Sequence, residues 1–436
     1  MKSMSDSTSA PPYGRTMADP ASLEWLACLQ EACELLWPPP SVIALEAAPA
    51  RPWRSAPIGV TAQPDDRQFV LIPGLNRPPI LVPADRRGAA AAVRYHTWAS
   101  SSAVRLAARA LAVSLAGGLG GAVLRGRIRV STPPGADTIE SYLGSVMSRD
   151  IQVSMQLGRP RANRKPVLQM LNGTGAPVGF VKVGINPLTC SLVHAEHNSL
   201  NQLGKAGLTE IDIPRVLHYG SWHGLSVLVL STLPAWQARR RIGAARLTAA
   251  MAELARVNGL VQEPVAGSEY LRLLRSRLTA ADPGPEREAV LAALDTITAR
   301  AGDATLTFGS WHGDWSPWNM ASTGRRLLVW DWERFTSPAP LGFDMLHHRL
   351  QVDVRKIEPK VAARRCLDLA PGHLAPFGIP RAEARLTAIL YLMDLATRYI
   401  ADRQDRAGAR LGATGTWLIP VIADEVAQPG ASRHEG

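Results

Sequence analysis

The segment His312-Gly-Asp-Trp-Ser-Pro-Trp-Asn319 places a carboxylate, Asp314, and a carboxamide, Asn319, five residues apart in a proline-containing loop. A second carboxylate, Asp331, closes the apolar run Leu327–Trp330, whose composition reads as a strand. This set suits phosphoryl transfer. One carboxylate can orient an acceptor hydroxyl and take its proton. The amide and the other carboxylate offer the oxygen ligands that a hard cation such as magnesium requires. The competing interpretation is a tryptophan-rich core loop with incidental polar residues, and the ordered spacing argues against it. Glu333, two residues past Asp331, falls on the same face if the strand continues, which makes it a candidate outer partner of the metal.

Two further charged residues sit where apolar ones are expected. Val178, Phe180 and Lys182 share a strand face by period two. Leu192, Glu196, Leu200 and Leu203 form one stripe of a helix, so the Glu196 carboxylate lies within an apolar face and needs a cation. Lys182, on the strand just before that helix, can supply it. The alternatives are a lysine that snorkels from an edge strand and a glutamate at the edge of its stripe.

The elements that must position these residues fall into a simple order. A helix over 20–37 stops at Pro38-Pro39-Pro40. Two strands in FVLIPGLNRPPILVP and two alanine-rich helices near 87–98 and 102–116 complete a first α/β unit. It ends near residue 135. The apolar run Leu111–Leu124 is too short to span a bilayer and reads as a buried helix followed by a glycine-rich loop. After a helix at Ile139–Met147, three strands (151–158, 166–172, 177–184), a helix near 189–204 and two more strands make an antiparallel α+β unit. From Trp236 the chain is predicted to be mainly helical: 243–258, 270–281, 285–300, 341–354, 358–369 and 381–402. The motif-bearing stretch 305–335 interrupts these helices. The expected organisation is a disordered tail (1–20), an accessory α/β domain of unknown role (21–135), a sheet lobe (136–235), a helical lobe (236–425) holding the catalytic loop at 311–335, and a tail (426–436).

Composition bounds the rest. The chain has 436 residues, 46% of them apolar, and a formal charge of +11. A wholly disordered chain and a coiled coil are excluded. Arginine outnumbers lysine 42 to 6. Beside abundant Ala, Gly and Pro this reads as compositional bias, and it makes each lysine more informative. The four cysteines form no CxxC pair, which predicts neither a zinc site nor a disulfide framework and fits a reducing, cytoplasmic setting. The amino terminus lacks the apolar core of a signal peptide, and Met17 is an alternative start. Aromatic residues gather around the 311–332 motif, where five of the twelve tryptophans lie, and not on a basic face, so a nucleic-acid partner is not expected. Trp315 and Trp318 either line an acceptor pocket or pack the loop.

Taken together, HGDWSPWN and WDWE resemble the motifs of the aminoglycoside phosphotransferase and choline kinase-like family, a branch of the protein-kinase-like fold. The resemblance covers about residues 150–400. It implies a bilobal α+β fold with a small antiparallel-sheet lobe and a mainly helical lobe, ATP and Mg as cofactors, and transfer to a hydroxyl of a small molecule. It implies Asp314 as catalytic base, Asn319 and Asp331 as metal ligands, Lys182 on the α- and β-phosphates held by Glu196, and the backbone from Ser231 to Leu233 as the adenine-binding hinge. His312 and Asp344 would be supports of the catalytic loop. The sequence departs from the protein-kinase pattern in one place. No GxGxxG joins the first two lobe strands; the loop is Gly158-Arg-Pro-Arg-Ala-Asn-Arg-Lys165. Arg159, Arg161, Arg164 or Lys165 would cover the triphosphate by charge, unless the loop is a solvated hairpin tip.

The net charge after residue 236 is +4 and before it +7. The helical part is therefore not the acid-lined lobe that a polycationic drug requires. The acceptor expected is a metabolite, a sugar or sugar-lipid precursor, or an antibiotic-like alcohol, with Asp394, Asp402 and Asp405 as candidate contacts. A catalytically inactive binding or scaffold protein of the same fold is the alternative; the presence of all five polar positions argues against it. No stable membrane span is expected, and the oligomeric state stays open.

Overall fold

The computed structural model describes residues 20–47, 66–72, 79–96, 102–117, 126–158, 161–235, 237, 241–323, 326–409 and 411–428. The predicted tails, Met17, Arg159 and the stretch 118–125 therefore lie largely or wholly outside the described residues. In chain order the elements are α1 (Pro20–Leu36), β1 (Val42–Ala47), β2 (Arg67–Ile72), β3 (Ile80–Pro83), α2 (Arg86–His96), α3 (Ser102–Ala116), β4 (Gly126–Ser131), α4 (Ile139–Met147), β5 (Gln152–Gln156), β6 (Val167–Leu171), β7 (Pro177–Gly184), α5 (Pro187–Leu203), β8 (Ile211–Asp212), β9 (Val216–Trp222) and β10 (Leu225–Leu230). They continue as α6 (Ala244–Ala255), β11 (Val261–Pro264), α7 (Glu269–Ala280), α8 (Pro285–Ala301), β12 (Thr305–Trp311), β13 (Met320–Ser322), β14 (Leu327–Val329), β15 (Thr336–Pro340), α9 (Phe343–Asp353), α10 (Pro359–Leu374), α11 (Arg381–Ala401) and α12 (Leu418–Ala427).

One antiparallel sheet of nine strands, ordered β1-β4-β2-β3-β5-β6-β7-β10-β9, runs through the first half of the chain. Where the sequence suggested a boundary near residue 135, the structure instead pairs β3 with β5, Ile80 opposite Gln156 and Leu81 opposite Met155. The core crosses the same line. Leu29, Leu36 and Trp37 of the first unit pack with Leu143, Val153, Met155, Val181 and Val229. Trp37 donates its indole N–H to the buried Glu140 carboxylate at 2.7 Å and lies 5.1 Å from the Phe69 ring. The expected small sheet is thus widened by the first 135 residues, and both share one core. β1 and β4, not anticipated from the sequence, form its far edge. α3 buries Ala108, Ala112 and Leu115 but leaves Leu106 and Val113 exposed, so it is amphipathic and not fully buried.

The other face of the sheet carries α5. Asn186 and Thr189 form a reciprocal capping box, and Pro187 opens the first turn. Gly184 ends β7 where a Cβ would stand 2.7 Å from Cys190 Cα, so only glycine lets the helix start this close to the strand. Leu192, Val193, Glu196, Leu200 and Leu203 face the sheet as the helical spacing predicts. The second half is helical around a core in which α11 is buried continuously from Thr387 to Thr397. Two small sheets interrupt it, β11-β12-β15 and β13-β14-β8. Their connecting loops, 312–319 and 330–335, face the underside of the large sheet and α5.

A shared core makes a definite prediction. Trp37→Ala should cost roughly 3–5 kcal/mol, because it opens a cavity and strips Glu140 of a donor. Urea denaturation should show one transition, shifted as a whole. A separate early transition, leaving the rest at wild-type stability, would mean that the first 135 residues fold as an independent unit.

Candidate active site

Lys182 enters from β7, an interior strand of the sheet, flanked by Val167 of β6 and Leu228 of β10. It is only 9% exposed, so its ammonium must be paired. It lies 2.5 Å from Glu196 Oε2 and 2.5 Å from Asp331 Oδ1. Strand, helix and the turn after β14 thus meet at one cation. Burial disfavours the charged ammonium, yet Asp331, Glu196 and Glu333 together hold its pKa above the ordinary lysine value. Burial likewise opposes ionisation of Asp331, and Lys182, then Lys165 and Arg161, hold that carboxyl well below the usual range. Glu196 Oε1 also accepts the Trp332 N–H at 3.2 Å, so one carboxylate braces both the lysine and the Asp331 turn.

The sequence placed Asp331 and Glu333 on one strand face. The structure ends β14 at Val329, puts Asp331 in the left-handed region (φ +74°) and continues as a 3-10 turn over Trp332–Arg334. This turn achieves by folding back what a strand would have done by alternation. Carboxylate oxygens of Glu196, Asp331 and Glu333 lie within 4.8 Å of one another. An all-oxygen set of this kind, with the Asn319 amide in the neighbouring loop, fits a hard divalent cation.

The 312–319 loop is fixed from several sides. Asp344, at the start of α9, accepts the N–H groups of His312 (2.8 Å) and Gly313 (3.2 Å). Burial pushes the Asp344 pKa up to about 7 against those donors. Gly313 has φ +82°, and a Cβ there would lie 2.4 Å from the Arg334 carbonyl oxygen, so the position requires glycine. Arg398 of α11 donates to the Gly313 carbonyl at 2.6 Å and lies over the Trp311 ring. His312 Nδ1 accepts the Asp314 N–H at 3.1 Å, which leaves its proton on Nε2 to meet the Trp330 carbonyl at 3.2 Å. Trp315 is fully buried and packs the loop, with its N–H on Met320 Sδ at 3.2 Å. Trp318 is half-buried beneath the Arg355 guanidinium.

Asp314 keeps a side chain 32% exposed. Its Oδ1 accepts from Ser316 Oγ (2.6 Å) and His347 Nε2 (2.9 Å), and its Oδ2 from Asn319 Nδ2 (3.1 Å). Burial opposes its ionisation, but the His347 and Ser316 hydrogen bonds hold its pKa below the ordinary value. The buried His347 in turn has Nδ1 3.0 Å from the Tyr391 hydroxyl. With Asp314 ionised, the donors run one way: Tyr391 O–H to Nδ1, and Nε2–H to Asp314. His347 belongs to none of the motifs in the sequence. The available signal was its place one helical turn beyond Asp344, which puts both on the α9 face toward the loop.

Lys182, Glu196, Asp314, Asn319 and Asp331 are therefore brought together. Other candidates are not. Arg164 turns to α1, where it contacts Cys28 Sγ and lies 3.8 Å from Glu31. The Ser231 N–H is bound to the Arg215 carbonyl at 2.9 Å, which takes it out of the expected hinge contacts, and the Leu233 carbonyl accepts from Ala235 at 2.7 Å. Both residues line a cavity of about 510 Å³ with Val178, Leu217 and Leu328. Asp394 is buried against Arg277 (2.8 Å), and Asp402 is paired with Arg334, so neither is a spare acid for an acceptor. Asp405 is exposed beside Asp282 at a separate small cavity.

Residues 189–348 match the model of the phosphotransferase enzyme family. The resemblance noted in the motifs holds across this stretch, which contains Glu196, Asp314, Asn319 and Asp331, and its mixed helices and antiparallel strands agree with the kinase-like fold of that family. Similar solved structures include a choline kinase from Streptococcus pneumoniae (14% identity, TM-score 0.43, covering 66% of this chain and 98% of that one). They also include an ADP-bound aminoglycoside phosphotransferase (14%, 0.38, 66% and 95%) and an amicoumacin kinase in complex with AMP-PNP and Ca2+ (13%, 0.40, 63% and 87%). No curated protein matches the chain. Among the described residues, no helix is long and apolar enough to cross a membrane.

Two predictions follow from the loop geometry. Burial pushes the His312 pKa down to about 4 from an ordinary 6.5, so the unfolded chain binds the proton more tightly than the folded one. Stability should then fall as pH drops from 6.5 toward 4, by roughly 3 kcal/mol from this group. Protonation must occur at Nδ1 and breaks the Asp314 N–H contact. Denaturation curves across this pH range should show a shallower fall for His312→Asn. Separately, His347→Ala should slow any turnover that uses Asp314 by about tenfold or more, since a charge-assisted donor is lost. His347→Gln, whose amide can still donate, should recover part of that rate, as steady-state kinetics would show.

Proposed function

We propose that the protein is an ATP- and Mg-dependent phosphotransferase that moves the γ-phosphoryl group of ATP to a hydroxyl of a small molecule. The observation that carries this reading is the Lys182 ammonium held between Glu196 and Asp331, with Asp314 and Asn319 joined in the adjacent loop. In the family that the motifs resemble, these positions hold a nucleotide and its metal.

Each residue then has a task. Asn319 and Asp331 would hold magnesium, which when bound supplies charge neutralisation along the phosphates. Lys182 orients the α- and β-phosphates, and Glu196 keeps the lysine in place. Asp314 accepts a hydrogen bond from the acceptor hydroxyl and takes its proton as the hydroxyl oxygen bonds to the γ-phosphorus and the bond to the leaving ADP breaks. The low proton affinity of Asp314 suits a loose transition state, in which the proton moves late. Adenine would rest on the main chain past β10, near Leu233. Arg159 remains a candidate phosphate contact. Arg164, held by α1, acts through its loop and not by direct contact.

The acceptor is proposed to be a neutral or weakly charged alcohol: a metabolite, a sugar or an antibiotic-like compound. Asp394 and Asp402 being neutralised by arginines supports this over a polycationic drug. The test is a screen of metabolite pools for ATP-dependent phosphorylation. Asp314→Ala should lower turnover by about 10²–10⁴-fold while nucleotide binding persists. Asp331→Ala should lose metal-dependent nucleotide binding. Wild-type turnover in both variants would show that the site has been misassigned.

A further inference from the structure

The site contains a second buried lysine. Lys165, the last cation of the 158–165 loop, is 8% exposed and is bonded to Glu333, itself 7% exposed. Glu333 lies two residues beyond Asp331, and the tight turn at Asp331 folds the two carboxylates together with Glu196. Three carboxylates thus share the ammonium groups of Lys182 and Lys165. The loop that delivers Lys165 is braced at both sides. Asn163 accepts a hydrogen bond from Gln404 of the helical half (3.4 Å), Arg164 reaches Cys28 and Glu31 of α1, and the Arg164 N–H closes a turn onto the Arg161 carbonyl (3.0 Å). The described part of the loop, 161–165, is therefore tied down on both sides, and Lys165 at its end is buried. The loop covers the Asp331–Glu333 segment and stands where the protein-kinase pattern would place glycines.

We propose that Lys165 is a second phosphate-binding lysine whose ammonium exchanges partners, passing from Glu333 to the phosphates of a nucleoside triphosphate when a divalent cation competes for Glu333. This rests on the nucleotide-binding reading given above. A cation that takes an oxygen of Glu333 weakens the carboxylate's hold on Lys165. A lysine this deeply buried cannot stay charged without an anion. The anion that arrives with the cation is the triphosphate. Arg161, whose positive charge already reaches Asp331 and Tyr399, adds to the attraction from the same loop. The role of α1 and the widened sheet then becomes concrete: through Arg164 they hold the loop at the height from which Lys165 can make the exchange.

The test uses the full chain and three probes: AMP-PNP with magnesium, adenosine, and Mn2+ alone. Lys165→Gln should weaken AMP-PNP binding by about tenfold, the scale of one charge-assisted contact, while adenosine affinity stays within about twofold. Lys165→Arg, which keeps the charge, should stay within about threefold of wild type for AMP-PNP. Mn2+ alone, measured by electron paramagnetic resonance, should bind Lys165→Gln about threefold or more tightly than wild type, because Glu333 has lost its competitor. Unchanged AMP-PNP affinity in Lys165→Gln overturns the proposal. So does an equal loss for adenosine and AMP-PNP, which marks the pair as purely structural, and so does Mn2+ affinity at or below the wild-type value. Wild-type protein that fails to bind AMP-PNP with magnesium overturns the kinase reading itself and this proposal with it, an outcome distinct from a failure of the variants alone.

Discussion

A single ammonium group, that of Lys182, organises the molecule. It lies in a sheet interior where an unpaired charge is untenable, and the two carboxylates that neutralise it come from a helix and from a turn about 150 residues away in sequence. Burying three charged groups at one point costs desolvation that only close, well-directed pairing offsets. Every element that touches the point is correspondingly constrained. Gly184 lets α5 approach the strand, the capping box fixes where α5 begins, and Glu196 ties the helix to the backbone of Trp332. The left-handed Asp331 turn then follows as the conformation that brings both Asp331 and Glu333 to the lysines.

Around this centre the two halves of the chain contribute differently. The sheet half supplies cations: Lys182 from the interior strand β7, Lys165 and Arg161 from the β5–β6 loop. The helical half supplies the loop with Asp314 and Asn319, and buttresses it from α9 and α11 through Asp344, His347 and Arg398. Asp314 is thereby oriented by donors that approach from behind while a third of its side chain stays open. The supports are mostly neutral or internally paired. His312 is kept neutral by burial, and Arg334 is matched by Asp402, so neither adds an unpaired charge beside Asp314.

What the sequence disclosed follows from what local pattern can encode. Lys182 and Glu196 were legible because each breaks an apolar periodicity, and a charge inside an apolar stripe implies a partner. Asp314, Asn319 and Asp331 were legible from type and spacing. The continuity of the sheet across residue 135 was not, because the β3–β5 pairing joins strands some 70 residues apart and no local signal reports it. β4 did carry a signal, the alternation Arg127-Ile128-Arg129-Val130 with the apolar pair inward, but it follows a glycine-rich run that reads as loop. The fates of Asp394 and Asp402 were hidden for the same reason as the sheet. Their partners, Arg277 and Arg334, lie 117 and 68 residues away, and nothing near either aspartate announces them.

The central claim is that the Lys182–Glu196–Asp331 cluster is built to receive a metal-bound nucleotide. Calorimetric titration of AMP-PNP into wild type and Lys182→Met, each with magnesium and with EDTA, tests it most directly. Binding to wild type should be saturable, need magnesium and weaken by about tenfold or more in Lys182→Met. Binding that is indifferent to magnesium, or equal in the two proteins, would contradict the claim.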